Sequence, residues 1–153
     1  MNTSGASNTG QPNSDTPTAS YSVISYRGRE LPKTYRGLIY SKFMRSLRQG
    51  NSYFKLTNPR EYFDSYGVYI GRLLDRPTTQ IKLAVLSDDY DVVLGWAMIE
   101  DTKVHYVYTQ ESSRRAGIAS TLIPKDFTEF THITDMVLPL WPKKFPNAKF
   151  NPF

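Results

Sequence analysis

Arg114-Arg115-Ala116-Gly117-Ile118-Ala119 is the stretch of this sequence best suited to bind a ligand. Ala116, Gly117 and Ala119 keep the backbone open where larger side chains would block an anion. Consecutive N–H groups at a helix start form a positive cradle, which the helix dipole reinforces. Arg114 and Arg115 can add charge-assisted hydrogen bonds. The expected occupant is a phosphate or pyrophosphate.

Other chemistries are excluded or disfavoured. The chain has no cysteine, so thiolate nucleophiles, disulfides and zinc–cysteine sites are ruled out. His105 and His132 are its only histidines and show no HExxH-type spacing, so no transition-metal site is expected. The net charge is +5, but the basic residues are dispersed. Neither a recognition helix nor a stacking platform stands out, which disfavours nucleic acid as a partner. No apolar run reaches the roughly 18 residues of a membrane span. The N-terminus lacks the basic and apolar regions of a secretory signal. A soluble cytoplasmic protein is the expectation.

Several elements must position the cradle. Residues 1–20 are rich in Ser, Thr, Asn, Gly and Pro and read as a disordered tail. Residues 21–153 then form one domain. Tyr21 to Tyr26 reads as a strand. Thr34 to Gln49 reads as a helix, with Tyr35, Leu38, Ile39, Phe43, Met44 and Leu47 along one apolar face and Gly50-Asn51 as its stop. Asn58-Pro59 supplies a cap and an N1 proline for a short helix to about Ser65, followed by an irregular segment or a second short helix. Ile81 to Leu86, Val92 to Glu100 and Lys103 to Thr109 read as an antiparallel meander, with a bulge permitted at Gly95. Alternation along the third strand places His105 on one face with Lys103 and Val107. Gly117 to Leu122 starts a helix that Pro124 limits. Glu129 to Ile133 reads as a short strand. The aromatic end, with Trp141, Phe145, Phe150 and Phe153, is expected to pack onto the body or into an oligomer or assembly partner.

A meander leading into an Arg-x-x-Gly-x-Ala turn and helix resembles the GCN5-related N-acetyltransferase (GNAT) superfamily. The resemblance runs from about Ser22 to Ile133 and is strongest from Ile81 to Leu122. It implies a mixed α/β fold: a central, mostly antiparallel sheet with helices on both faces. It also implies acetyl-CoA or another acyl-CoA, with an amine as acceptor. The pyrophosphate would sit on Arg114, Arg115, Ala116, Gly117, Ile118 and Ala119. The pantetheine arm would pair with Tyr106, Val107, Tyr108 and Thr109 on a splayed fourth strand.

The chain also departs from that family. It has no tyrosine after Tyr108, where the family often places the acid for the CoA thiolate, and its C-terminal half is short. Ser120 or Thr121 could approach a leaving group. Acyl transfer needs a neutral amine, and Glu100 and His105 are the candidate catalytic bases, with Glu111 on the loop. The end Asn147 to Phe153 is similar to small phage-encoded relatives of the fold. The alternative reading is therefore a non-catalytic, GNAT-like protein-binding or virion-associated module.

Overall fold

The computed structural model describes residues 20–114, 117–135 and 141–152. The tail up to residue 19, Arg115, Ala116 and Phe153 lie outside the described residues, so the readings made for them do too. The chain opens with β1 (Tyr21–Arg27) and a single 3-10 turn (Gly28–Glu30). A Cβ on Gly28 would lie 2.1 Å from the Leu74 carbonyl oxygen, so only glycine lets this turn sit so close to the later helix Gly67–Asp75.

Helix α1 (Lys33–Gly50) follows the expected periodicity. Ile39, Phe43, Met44 and Leu47 are fully buried, and Tyr35 and Leu38 flank them. Complete burial of such side chains stabilises by about 1.5–3 kcal/mol each, so the apolar face, rather than helix propensity, holds α1 in place. Asn51 does not only stop the helix. Its Oδ1 accepts from the N–H groups of Tyr53 (2.9 Å) and Phe54 (3.2 Å) and caps α2 (Ser52–Lys55).

Asn58 caps the next element in the same way, with Pro59 in its first turn. Helix α3 (Pro59–Glu61) passes into a π-helical turn (Tyr62–Tyr66) and then α4 (Gly67–Asp75). The helical path therefore runs on well beyond Ser65. The wide π turn stacks Tyr62 on Tyr66, with centroids 5.6 Å apart and planes 9° from parallel. Such turns often mark functional sites. Arg36 pairs with Asp75 at 3.0 Å and ties α1 to the end of α4.

Strands β2 (Thr79–Leu86), β3 (Asp89–Glu100) and β4 (Lys103–Thr109) form the meander. Helix α5 (Ile118–Leu122), β5 (Glu129–Phe130), α6 (Trp141–Lys144) and β6 (Lys149–Phe150) complete the described chain. The sheet order is β1-β2-β3-β4-β5-β6. The first four strands are antiparallel; β5 is parallel to β4, and β6 to β5. The parallel step from β4 to β5 requires a crossover, which α5 supplies.

Helices lie on both faces. Helices α1 and α4 cover the face carrying Leu83, Trp96, Met98 and Tyr106. Helix α5 packs Ile118 and Leu122 on Ala84, Ala97 and Ile99. Phe145 extends that second layer, meeting Phe127 at 5.4 Å, while Phe150 meets Phe130 at 5.6 Å but stays exposed.

Candidate functional site

Two departures from regular pairing shape the site, and both lie on β4. The first is its edge. Strand β5 pairs with β4 only at Lys103 and Val104. Among the described residues, no strand covers Tyr106 to Thr109 on that side. Gln110 N–H donates to the Leu94 carbonyl at 2.9 Å. Alternation then turns the peptide groups of Tyr108 and Tyr106 toward β3 and those of Val107 and Thr109 toward the opening. The Thr109 carbonyl there accepts from Arg114 Nε at 3.2 Å.

Gly117 begins α5 with φ 77°, a left-handed conformation that glycine adopts without strain. Helix α5 itself is only five residues long. Arg114 lies exposed between the end of β4 and this turn. Ile118 is buried against the sheet, and Ala119 is half-buried. The side chains of Tyr106 and Tyr108 turn away from α5: Tyr106 stacks on Phe43 at 4.4 Å, and Lys42 lies 5.9 Å over the Tyr108 ring. Their peptide groups face β3 and their side chains face α1, so of Tyr106 to Thr109 only Val107 and Thr109 turn backbone groups toward the opening.

The second departure is a bulge. Met98 pairs with Tyr106 and Ile99 with Val104, which leaves His105 as the extra residue. This corrects the face assigned by simple alternation. Val107 packs toward α5, with Ala84 and Ala97. His105 turns to the α1 face together with Tyr106, because an inserted residue breaks the two-residue period.

The bulge carries His105, only 2% exposed, into contact with Glu100. Nε2 of His105 lies 2.9 Å from Glu100 Oε1, and its Nδ1 lies 2.9 Å from Thr131 Oγ1. Thr131 Oγ1 lies 2.7 Å from His132 Nδ1, and His132 Nε2 meets the Tyr66 hydroxyl. Glu100 is also held by Arg76 at 3.0 Å and by the Thr78 hydroxyl. Both histidines of the chain thus belong to one hydrogen-bonded line from Arg76 to Tyr66.

Donor and acceptor counting gives that line a direction. An ionised carboxylate only accepts, so His105 donates from Nε2 and accepts at Nδ1. Thr131 then donates to His105 and accepts from His132 Nδ1–H. That leaves His132 Nε2 to accept from Tyr66.

The electrostatics agree with this assignment. Burial works to raise the Glu100 carboxyl, but hydrogen bonds from Thr78, His105 and Arg76 outweigh it and bring it down to about 2. Burial pushes His105 below its ordinary value, with Glu100 acting against that. Burial, with repulsion from His105, takes His132 down to about 4. Burial raises Tyr66 well above an ordinary phenol. At neutral pH both imidazoles are neutral and Glu100 is charged.

Two concavities flank the Tyr66–His132 end of the line. One, about 330 Å³, is walled by Tyr53, Phe54, Tyr62 and Tyr66, with Glu61 at its side. The other, about 380 Å³, is walled by Leu47, Phe54, Thr131, His132 and Phe150. Tyr53 and Phe54 belong to both. Thr131, His132 and Tyr66 were not among the residues singled out from the sequence. The pair His105 and His132, in a chain without other histidines, was the only available signal.

No protein-family model matches the chain, and no curated protein matches it in sequence at a significant level. Solved structures do. The structure described as "Putative acetyl transferase from Pyrococcus furiosus" aligns over 86% of this chain and 95% of its own, with a TM-score of 0.61 at 15% identity. An aminoglycoside acetyltransferase from an uncultured soil metagenomic sample, solved in complex with sisomicin, aligns over 86% and 91% with a TM-score of 0.45 at 15% identity. The meander, the crossover helix, the opening beside β4 and the first of these alignments lead to one conclusion: the chain has the GNAT-like fold.

Proposed function

We propose that the protein is an acyl-CoA-dependent N-acyltransferase that uses acetyl-CoA and transfers its acetyl group to an amine. The observation that carries this reading is the open edge of β4. There, among the described residues, Val107 and Thr109 direct peptide groups that no strand pairs into a gap that begins where β5 leaves off, with the Thr109 carbonyl held by Arg114 Nε.

The residues present fit acetyl-CoA. Val107 and Thr109 can pair with an extended amide-bearing arm, as an added strand would. Gly117 and Ala119 leave room for a pyrophosphate at the turn, and Arg114 is exposed beside it. When bound, acetyl-CoA supplies an activated thioester. The protein holds that ligand along β4, provides peptide N–H groups near its carbonyl and offers the Glu100–His105 pair for proton traffic. The neighbouring structures named as acetyltransferases have the same fold and support the reading at that level.

A non-catalytic binding module is the second reading. It is favoured by the two-residue length of β5 and β6 and by the lack of any tyrosine after Tyr108. Calorimetric titration with acetyl-CoA, followed by measurement of CoA release in the presence of varied primary amines, separates the two. Binding with turnover is expected. No binding at high micromolar protein would exclude the acyltransferase reading, and binding without turnover would select the module.

A further inference from the structure

Acyl transfer to an amine leaves one proton to move. The N–C bond forms as the C–S bond breaks, nitrogen must lose a proton and sulfur must gain one. The described part of this chain has no tyrosine beyond Tyr108 to protonate the thiolate. It has instead a directed line of hydrogen bonds whose outer end, Tyr66, lines the first concavity, while its inner neighbours His132 and Thr131 line the second.

We propose that Tyr66, His132, Thr131 and His105 form a proton relay, anchored by Glu100, which takes the proton from the acceptor nitrogen and returns it to the departing thiolate. The proposal rests on the acyltransferase reading. As nitrogen gives a proton to the Tyr66 oxygen, Tyr66 gives its own to His132 Nε2. His132 passes its Nδ1 proton to Thr131, and Thr131 passes its hydroxyl proton to Nδ1 of His105. His105 keeps its Nε2–H and becomes an imidazolium against the Glu100 carboxylate. The reverse sequence delivers one proton to sulfur and restores every hydrogen bond. Nothing is gained from or lost to solvent.

Four features support this line over a merely structural one. Every link lies within hydrogen-bond reach, and the order of donors follows from two acceptor-only groups, the Glu100 carboxylate at one ring and the His105 carbonyl, 3.2 Å from His132 Nδ1 and shared with Thr131, at the other. Arg76 and Thr78 hold Glu100 ionised, as an anchor for a buried imidazolium must be. Thr131 is 5% exposed, so water does not bypass it readily. The β4 bulge and the π turn, both irregular, supply His105 and Tyr66. Tyr66 is the group that meets the acceptor; Thr131 and Glu100 act through their neighbours as positioning residues.

The test uses the full chain labelled with 15N-histidine, alongside kinetics. Long-range 1H–15N correlation at neutral pH is expected to find His105 protonated on Nε2 and His132 on Nδ1. The opposite tautomer at either ring, or a charged ring in the resting protein, overturns the relay. T131V keeps the shape of Thr131 and removes the hydroxyl between the rings. It should keep acetyl-CoA affinity within about twofold and the amine KM unchanged, while kcat falls about 10²-fold. T131S should recover most of the loss. A T131V protein with wild-type kcat overturns the relay and leaves the acyltransferase reading standing. Wild-type protein that does not bind acetyl-CoA overturns both.

Discussion

Gly95 lies so close to Tyr108 that a Cβ on the glycine would stand 2.8 Å from the tyrosine's carbonyl oxygen. The same atom would lie 3.1 Å from a methyl group of Ile118. Gly95 marks a register break on β3, opposite Ala84, and α5 rests directly on it. Backbone cannot give way as a side-chain tip can. G95A is expected to destabilise the protein by about 1–3 kcal/mol. Urea denaturation should show a lowered midpoint at unchanged slope; an unchanged midpoint would refute the close approach.

The open edge of β4 gives a second expectation. In V107P the lost N–H faces the gap rather than β3, a setting in which a strand tolerates proline. Far-UV circular dichroism should remain close to that of the wild type. Acetyl-CoA affinity should fall by at least about tenfold, as a loss of about 1.4 kcal/mol requires. Undiminished affinity would place the ligand elsewhere.

Acid should destabilise the fold in two windows. His132 titrates near 4 in the folded state against an ordinary 6.5, so the unfolded chain binds its proton first as pH falls. Its contribution is complete above pH 6.5 and is lost down to about 4. Glu100 is depressed from 4.5 to about 2, and its contribution is present above 4.5 and lost below. Each is at most about 3 kcal/mol. The groups facing His132 are His105, Tyr66 and Tyr69; those facing Glu100 are Arg76, Thr78, His105 and Lys103. Stability measured against pH should show a smaller upper step in H132F, with the remainder from His105, whose burial also lowers it, and should lose its lower step in E100Q. Both steps at full size in either variant would contradict the assignment.

Asn51 combines two duties. Its carbonyl oxygen caps α2, while its Nδ2 donates to the Ile133 carbonyl at 2.9 Å. N51A should cost about 1 kcal/mol through the cap alone. N51D retains the cap and loses the donor, so it should keep most of the thermal stability. If the concavity beside His132 receives the acceptor, N51D should raise the amine KM with little change in kcat. Equal melting temperatures for N51A and the wild type would contradict the capping role.

Local pattern explains what was legible. The three- and four-residue spacing from Tyr35 to Leu47 gave α1, and Asn58-Pro59 gave the start of α3. Turn residues at Asp88 and Asp101 marked the ends of the meander strands. The fold resemblance followed from those elements and from the Arg114 to Ala119 turn. The bulge at His105 was not legible, because counting alternate residues assumes an unbroken period. Nor was the line of side chains. Tyr66 and His132 are distant in sequence and meet only after α1 has brought the π turn over β5. The parallel pairing of β6 rests on two residue pairs and carries no periodic signal at all.

The brevity of β5 has a mechanical consequence. Two ladder pairs cannot by themselves fix how far the sheet parts beyond Val104. The chain just past β5 is tied to His105 of β4 through Thr131 and His132, and is moored as well to the α1–α2 junction. Asp135 N–H donates to the Gly50 carbonyl, the Ser52 N–H donates to the Asp135 carboxylate, and Asn51 holds Ile133. The end of α1 thus acts as a lever arm on the opening, working against the bonds of His105 to Thr131 and His132: a shift of that helix end would spread or narrow the gap as far as those bonds give.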